Sequence, residues 1–211
     1  MELSVREVGE HLGVSHQRVH AMLKSGALRG RKAAGRWFID DSQLVPLRRV
    51  SRPLSQRIAW AAIVGPTEAS WLSQPEASRL RGRLHRLPQQ PNAPQVLASW
   101  LAARAVSHDL FAPEPDALMS DPRLVRAGIS DPRSGLSTGK DWEFYAQPGT
   151  LADVAADHLL VESPTGAVRI REAPMRVTNP IPLLLLAADL ADRGGSREVR
   201  RAAELIREAS L

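Results

Sequence analysis

At 211 residues, 43% hydrophobic and 24% charged, the chain is long enough for one domain or two small ones and apolar enough to bury a core, which excludes a disordered tail. The absence of cysteine excludes disulfide frameworks, thiolate zinc sites, iron–sulfur clusters and cysteine nucleophiles, and fits a reducing cytoplasm. The formal charge of +5 is unevenly spread: residues 1–86 hold 15 Lys/Arg against 7 Asp/Glu, and residues 87–211 hold 13 against 16, so a polyanion is expected to meet the first part only. Of the 28 basic residues 25 are Arg. That suits bidentate contacts to phosphate or guanine, although Arg- and Ala-rich usage also follows from a GC-rich coding sequence. The longest apolar run, Ile181 to Leu190, is about ten residues and holds Pro182, short of the ~20 that cross a bilayer. Met1 to Glu7 carries acid where an export signal would be basic. The expectation is a cytoplasmic protein with no membrane partner.

Ser4-Val5-Arg6-Glu7 reads as a capping box that starts a helix. Val5, Val8 and Leu12 form its apolar stripe, and Gly13 can take the left-handed position that ends it. Ser15 is a second N-cap, and Val19, Met22 and Leu23 give the next helix a buried face before Lys24-Ser25-Gly26 stops it. Two short helices joined by a tight turn make a helix-turn-helix. Its second helix would offer His16, Gln17, Arg18, His20 and Lys24 to a DNA groove, with Ser15 and the helix N-terminus available to a phosphate. From Ala27 to Asp40 two extended pieces flank a basic, Gly-bounded loop, the pattern of a β-hairpin wing. Arg29, Arg31, Lys32 and Arg36 would ride on it toward the DNA backbone or minor groove, while Leu28, Trp37 and Ile39 anchor it.

These residues, together with Gly35-Arg36-Trp37-x-Ile39 and an Asp41-Ser42-x-Leu44 helix start, resemble the small winged helix-turn-helix of excisionases and MerR-type regulators over residues 1–46. The resemblance implies that the helix after Val14-Ser15 lies in the major groove and the wing touches the flanking backbone. The long dimerisation helix usual in MerR proteins does not follow. Residues 47–54, bounded by Pro46 and Pro53 and carrying Arg48, Arg49 and Arg52, read as a linker that could also track phosphates.

Residues 55–211 are expected to form an α+β interaction domain, within a chain that is mainly α with small β elements. Helices are expected over Gln56–Val64, from the Ser73-Gln74-Pro75-Glu76 capping box to Pro88, and over Gln95–Ser107 with Leu97, Trp100, Leu101 and Arg104 in register. The second of these carries Arg79, Arg81, Arg83 and Arg86, either a solvated face or a second nucleic-acid surface. Asp121-Pro122-Arg123 and Asp131-Pro132-Arg133 read as turns around an extended Leu124–Gly128. A helix over Leu151–His158, strands over Leu159–Ser163 and Ala167–Arg171, and helices over Pro182–Ala191 and Ser196–Ser210 complete the reading, with Val168-Arg169-Ile170-Arg171 alternating as if one face were buried.

Motifs for chemistry fail one by one. Gly135 to Asp141 imitates a phosphate loop with the wrong glycine spacing and Asp where the Mg²⁺-binding Ser/Thr belongs. Asp153 and Asp157 share a helical face without a third ligand, as do His16 and His20. Neither a nucleophile elbow nor a nucleotidyltransferase motif is found, so no enzyme activity, metal or cofactor is expected. The segment Arg52-Pro53-Leu54-Ser55-x-Arg57-x-Ala59-Trp60, the Ser78-Arg79-Leu80-Arg81 helix, and Ala188-Asp189-Leu190-Ala191 before Arg197 and Ala202-Ala203 resemble AbiEi-type antitoxins of type IV toxin–antitoxin systems. That resemblance implies an autoregulating repressor that binds duplex DNA at its own promoter, with the second domain opposing a nucleotidyltransferase toxin. The alternative is an excisionase-like or ligand-sensing regulator with no toxin partner. A homodimer on DNA would match either.

Overall fold

Capping chemistry sets the first elements of the computed structural model, which describes residues 2–12, 14–24, 28, 30–33, 35–40, 52–137 and 139–209. The chain divides into two compact units, residues 1–50 and 51–211. In the first, the Ser4 amide donates to the Glu7 carboxylate at 2.7 Å and the Glu7 amide to Ser4 Oγ at 3.3 Å, so α1 (Val5–Leu12) starts at the expected residue. The Arg18 amide donates to Ser15 Oγ at 3.3 Å, and α2 spans His16–Lys24. A two-residue strand β1 (Glu2–Leu3) is too short to leave an alternation in the sequence. Strands β2 (Gly30–Ala33) and β3 (Arg36–Asp40) pair as an antiparallel hairpin, and β1 joins β3 on its other side. Leu3, Val8, Val19, Leu28 and Ile39 form the core, with Val5, Leu12, Met22, Leu23 and Trp37 packed against it. Gly13, Ser25, Gly26, the 41–44 helix start and residues 45–51 lie outside the described residues.

The second unit opens with α3 (Gln56–Val64), α4 (Gln74–Arg86) and α5 (Ala93–Trp100). Leu54, which the sequence pattern places in the linker, is buried and donates its amide to the Trp100 carbonyl at 3.1 Å. A five-stranded sheet follows, built from β4 (Val106–Phe111), β5 (Leu124–Arg126), β6 (Trp142–Ala146), β7 (Val161–Glu162) and β8 (Val168–Glu172). Its order is β5-β6-β8-β4-β7, with only the β6–β8 pair parallel. Helix α6 (Leu151–Asp157) lies between β6 and β7 in sequence, and α7 (Leu183–Arg193) and α8 (Ser196–Glu208) close the chain. Among the described residues no helix is long and apolar enough to cross a membrane.

The expectation of small β elements is corrected here: the sheet is the centre of the second unit. The expected 95–107 helix is also corrected, because α5 ends at Trp100 and residues 106–107 already pair with β8. Arg104 sits in the intervening turn, its carbonyl accepting the Trp60 indole N–H at 2.8 Å. Period-2 alternation divides the sheet's faces. Phe144, Ala146, Val168 and Ile170 join Leu118 and Val154 in an apolar cluster, while Glu143, Tyr145 and Arg171 point the other way, toward α7. The one-sided burial expected for β8 is therefore incomplete, since Arg171 is as buried as Ile170.

Arg104, Arg171, Glu143, Tyr145 and Asp189 are all at most 3% exposed. Asp189 Oδ1 accepts from Arg104 Nη2 at 2.7 Å and from Tyr145 Oη at 2.9 Å, and Arg171 Nη1 donates to Glu143 Oε2 at 2.8 Å. Two arginines and two carboxylates thus neutralise one another beneath α7. Ion pairing to these carboxylates holds Arg104 and Arg171 above the ordinary arginine range although burial opposes it, and burial pushes the Tyr145 phenol up.

A turn over Ser163–Gly166, closed by the Gly166 amide donating to the Ser163 carbonyl at 2.8 Å, carries β7 into β8. A Cβ on Gly166 would sit 2.1 Å from the Leu110 carbonyl oxygen, so only glycine lets this turn lie on β4. Gly166→Ala should cost about 1–3 kcal/mol, read as a fall of several degrees in the melting temperature of the second unit; an unchanged Tm would contradict this packing.

The two Asp-Pro-Arg turns are structural twins. In each the Arg amide returns to its own Asp Oδ1 at 2.8 Å and Nε reaches the same oxygen at 3.0 Å. The Arg123 hydrogen bonds hold Asp121 well below the usual carboxylate range, and Arg57, then the Ser73 amide, draw Glu76 down to about 2. Carboxylates whose folded pKa lies below the unfolded value stabilise the fold above the unfolded pKa and lose that contribution as pH falls. Melting of the second unit should therefore be flat above about pH 5 and decline between about pH 4.5 and 2. Glu76→Gln should shrink the decline.

Candidate nucleic-acid interface

Burial of Val19, Met22 and Leu23 orients α2. At 100° per residue this places Gln17 and Ala21 opposite the core, with Arg18 and His20 to either side. Ser15, His16, Gln17, Arg18, His20 and Ala21 are all exposed, and Lys24 is the last residue of the helix. No acidic residue lies in α2. The small Ala21 between longer donors leaves room for the helix to approach a groove wall. His16 is less free than its place in the sequence suggests, because its ring edge lies 3.3 Å from where a Gly9 Cβ would stand. Gly9 is buried and its carbonyl accepts the Val14 amide at 3.0 Å, so this glycine, which no sequence pattern singles out, lets the turn between the helices fold onto α1.

Register separates the basic residues of the hairpin. Arg31 pairs with Phe38 and Ala33 with Arg36, whereas Lys32 pairs with Trp37. Directly opposed residues share a face, so Arg31 and Arg36 stand on the outer face beside Phe38, and Lys32 on the face that Trp37 turns to the core. All three cations are exposed. The Arg31 guanidinium lies 5.0 Å from the Phe38 ring centroid, a cation–π contact that holds it over the strand and gives Phe38 a role that only the pairing reveals. The acids of α1 are tied locally, Glu7 to Ser4 and Glu10 to Arg6 at 3.1 Å. The bonds from Ser4, backbone first, hold Glu7 below its ordinary range.

Arg29, Arg48 and Arg49 lie outside the described residues. Arg52 is exposed two residues before the buried Leu54 and so belongs with the second unit. The structure thus gathers the α2 donors and the hairpin cations in one unit and leaves Arg52 in the other. The chemical decoys are occupied elsewhere: Asp157 pairs with Arg123 at 2.7 Å and Asp141 with Arg193 at 2.6 Å. No protein-family model matches the chain, and no curated protein or solved structure matches it.

Proposed function

We propose that the chain is a sequence-specific DNA-binding repressor whose first unit is a winged helix-turn-helix. The observation that carries this reading is the acid-free, exposed face of α2, with Gln17, Arg18 and His20 beside a hairpin bearing Arg31, Lys32 and Arg36. Amide and guanidinium groups on a helix match the donor and acceptor pattern of the major groove, and cations on a hairpin match phosphates. The test is fluorescence anisotropy of the full chain on a duplex from upstream of its own gene against a scrambled duplex, across a salt series. Preference for the promoter at physiological salt is the expected result. Equal affinity for both duplexes, or none for either, would overturn the reading.

The resemblance to AbiEi-type antitoxins extends this to autoregulation and a nucleotidyltransferase toxin as partner of the second unit. One observation favours a protein partner there. Phe111 and Val161 oppose each other at the β4–β7 edge and are 55% and 60% exposed, and nearby Leu159 is 68% exposed. Leu159 also holds φ 52°, a left-handed backbone that costs an L-residue about 1 kcal/mol, so this leucine is kept against its local preference. Co-purification of the chain with the product of an adjacent nucleotidyltransferase gene, abolished by Phe111→Ser with Val161→Ser, is the expected outcome. Retention by the variant would exclude this surface.

A further inference from the structure

Helix α4 carries a basic face that the packing of the second unit does not use. Leu80 and Leu84 are its buried residues, and Ser78, Arg79, Arg81, Gly82, Arg83, His85 and Arg86 are all exposed. Its one acid, Glu76, is spent at the N-terminus, where it bonds the Ser73 amide at 2.9 Å and pairs with Arg57. Among the described residues none of the four arginines pairs with a carboxylate; Arg79 reaches only the Pro75 carbonyl, at 3.1 Å. Arg79, Arg83 and Arg86 recur at i, i+4 and i+7 and form one stripe, with Arg81 and His85 beside it.

Two features of this face oppose helix stability. Like charges three and four residues apart repel along the helix. Gly82 stands mid-helix, where a Cβ would meet nothing within 4 Å, so no packing in the second unit requires a glycine that weakens the helix. A face that is only solvated has no use for either. Both suit a surface approached closely by a polyanion, with arginine forks for phosphate oxygens and a bare helix backbone between them. Arg79 to Arg86 spans about 10 Å of helix axis, the length of about three nucleotide steps at ~3.4 Å each.

We propose that the Arg79–Arg83–Arg86 face of α4 is a second DNA-binding surface that grips the phosphate backbone without reading sequence. The inference rests on the DNA-binding reading and extends it to the second unit. The test compares the full chain with a triple variant, Arg79→Gln, Arg83→Gln and Arg86→Gln, on a duplex of about 40 base pairs, roughly four helical turns, across a salt series. The triple variant should bind promoter and scrambled duplexes more weakly by the same factor. Its slope of log affinity against log salt should be shallower by about 2–3, at ~0.9 for each phosphate no longer neutralised. Gly82→Glu is the second variant. Its new carboxylate is four residues ahead of Arg86, so the variant should melt higher yet bind DNA more weakly, opposite signs that a purely structural role would not give.

An unchanged salt slope in the triple variant, or a Gly82→Glu protein that melts higher and binds DNA as before, would overturn the proposal, including in favour of an acidic protein as the occupant of this face. If the unaltered chain binds no duplex, both this proposal and the DNA-binding reading fail. If an Arg18→Ala chain loses sequence preference while the α4 variants keep the parent slope, only this one fails.

Discussion

Replacing Asp189 with alanine should destabilise the second unit by about 3–5 kcal/mol, the usual cost of stranding a buried charge. Asp189 is fully buried on α7 and accepts from Arg104 and Tyr145 through one oxygen, with Arg171 Nε 3.5 Å away. Its removal leaves Arg104 with only the part-exposed Asp192 and unbalances Arg171 against Glu143. At about 2–4 °C per kcal/mol for a unit of this size, Tm should fall by roughly 10 °C. Tyr145→Phe removes a hydroxyl that bridges Arg104 and Asp189 at 3.0 and 2.9 Å and should cost only about 1–2 kcal/mol. A double variant, Arg104→Met with Asp189→Leu, should cost less than the sum of its single changes, because neither charge is then left alone. Additive effects would mean that the two side chains do not act as a pair.

The second large effect concerns recognition. Gln17→Ala with Arg18→Ala should collapse the preference of the full chain for its promoter over a scrambled duplex, at about 1–3 kcal/mol for each base-reading side chain removed, while residual non-specific binding persists. Lys32→Ala with Arg36→Ala should act differently, weakening both duplexes alike and reducing the salt slope by about 1 per residue. Arg31 is a poorer probe of phosphate binding, because its stacking on Phe38 makes it part of the hairpin's own packing. Titrations of the two double variants side by side separate these roles. An equal fall in preference in both would remove the distinction between α2 and the hairpin.

The first unit is legible in the sequence because its signals are local. Ser4, Glu7 and Ser15 cap helices within three residues of themselves, and the hairpin is two short runs around one glycine. Strand β1 is not legible, because two residues carry no period. In the second unit α3 is found at the expected residues, yet the local pattern over β4 favours helix and that over β6 favours nothing. Val106–Phe111 becomes a strand because β7 and β8 flank it, a pairing some fifty or more residues away in sequence that overrides local preference. The buried ionic network is invisible for the same reason. Arg104, Glu143, Arg171 and Asp189 each look like surface residues until the sheet and α7 bring them together across up to 85 positions. The face of α2 follows from sequence periodicity alone, whereas the separation of Lys32 from Arg31 and Arg36 needs the strand register.

The most direct measurement of DNA recognition by the first unit is amide hydrogen exchange of the full chain with and without its promoter duplex. New protection is expected across residues 16–24 and 30–38, while the strands at the centre of the second unit, β6 and β8, stay as they were. Binding that leaves both segments of the first unit unprotected would contradict a winged helix-turn-helix that reads DNA.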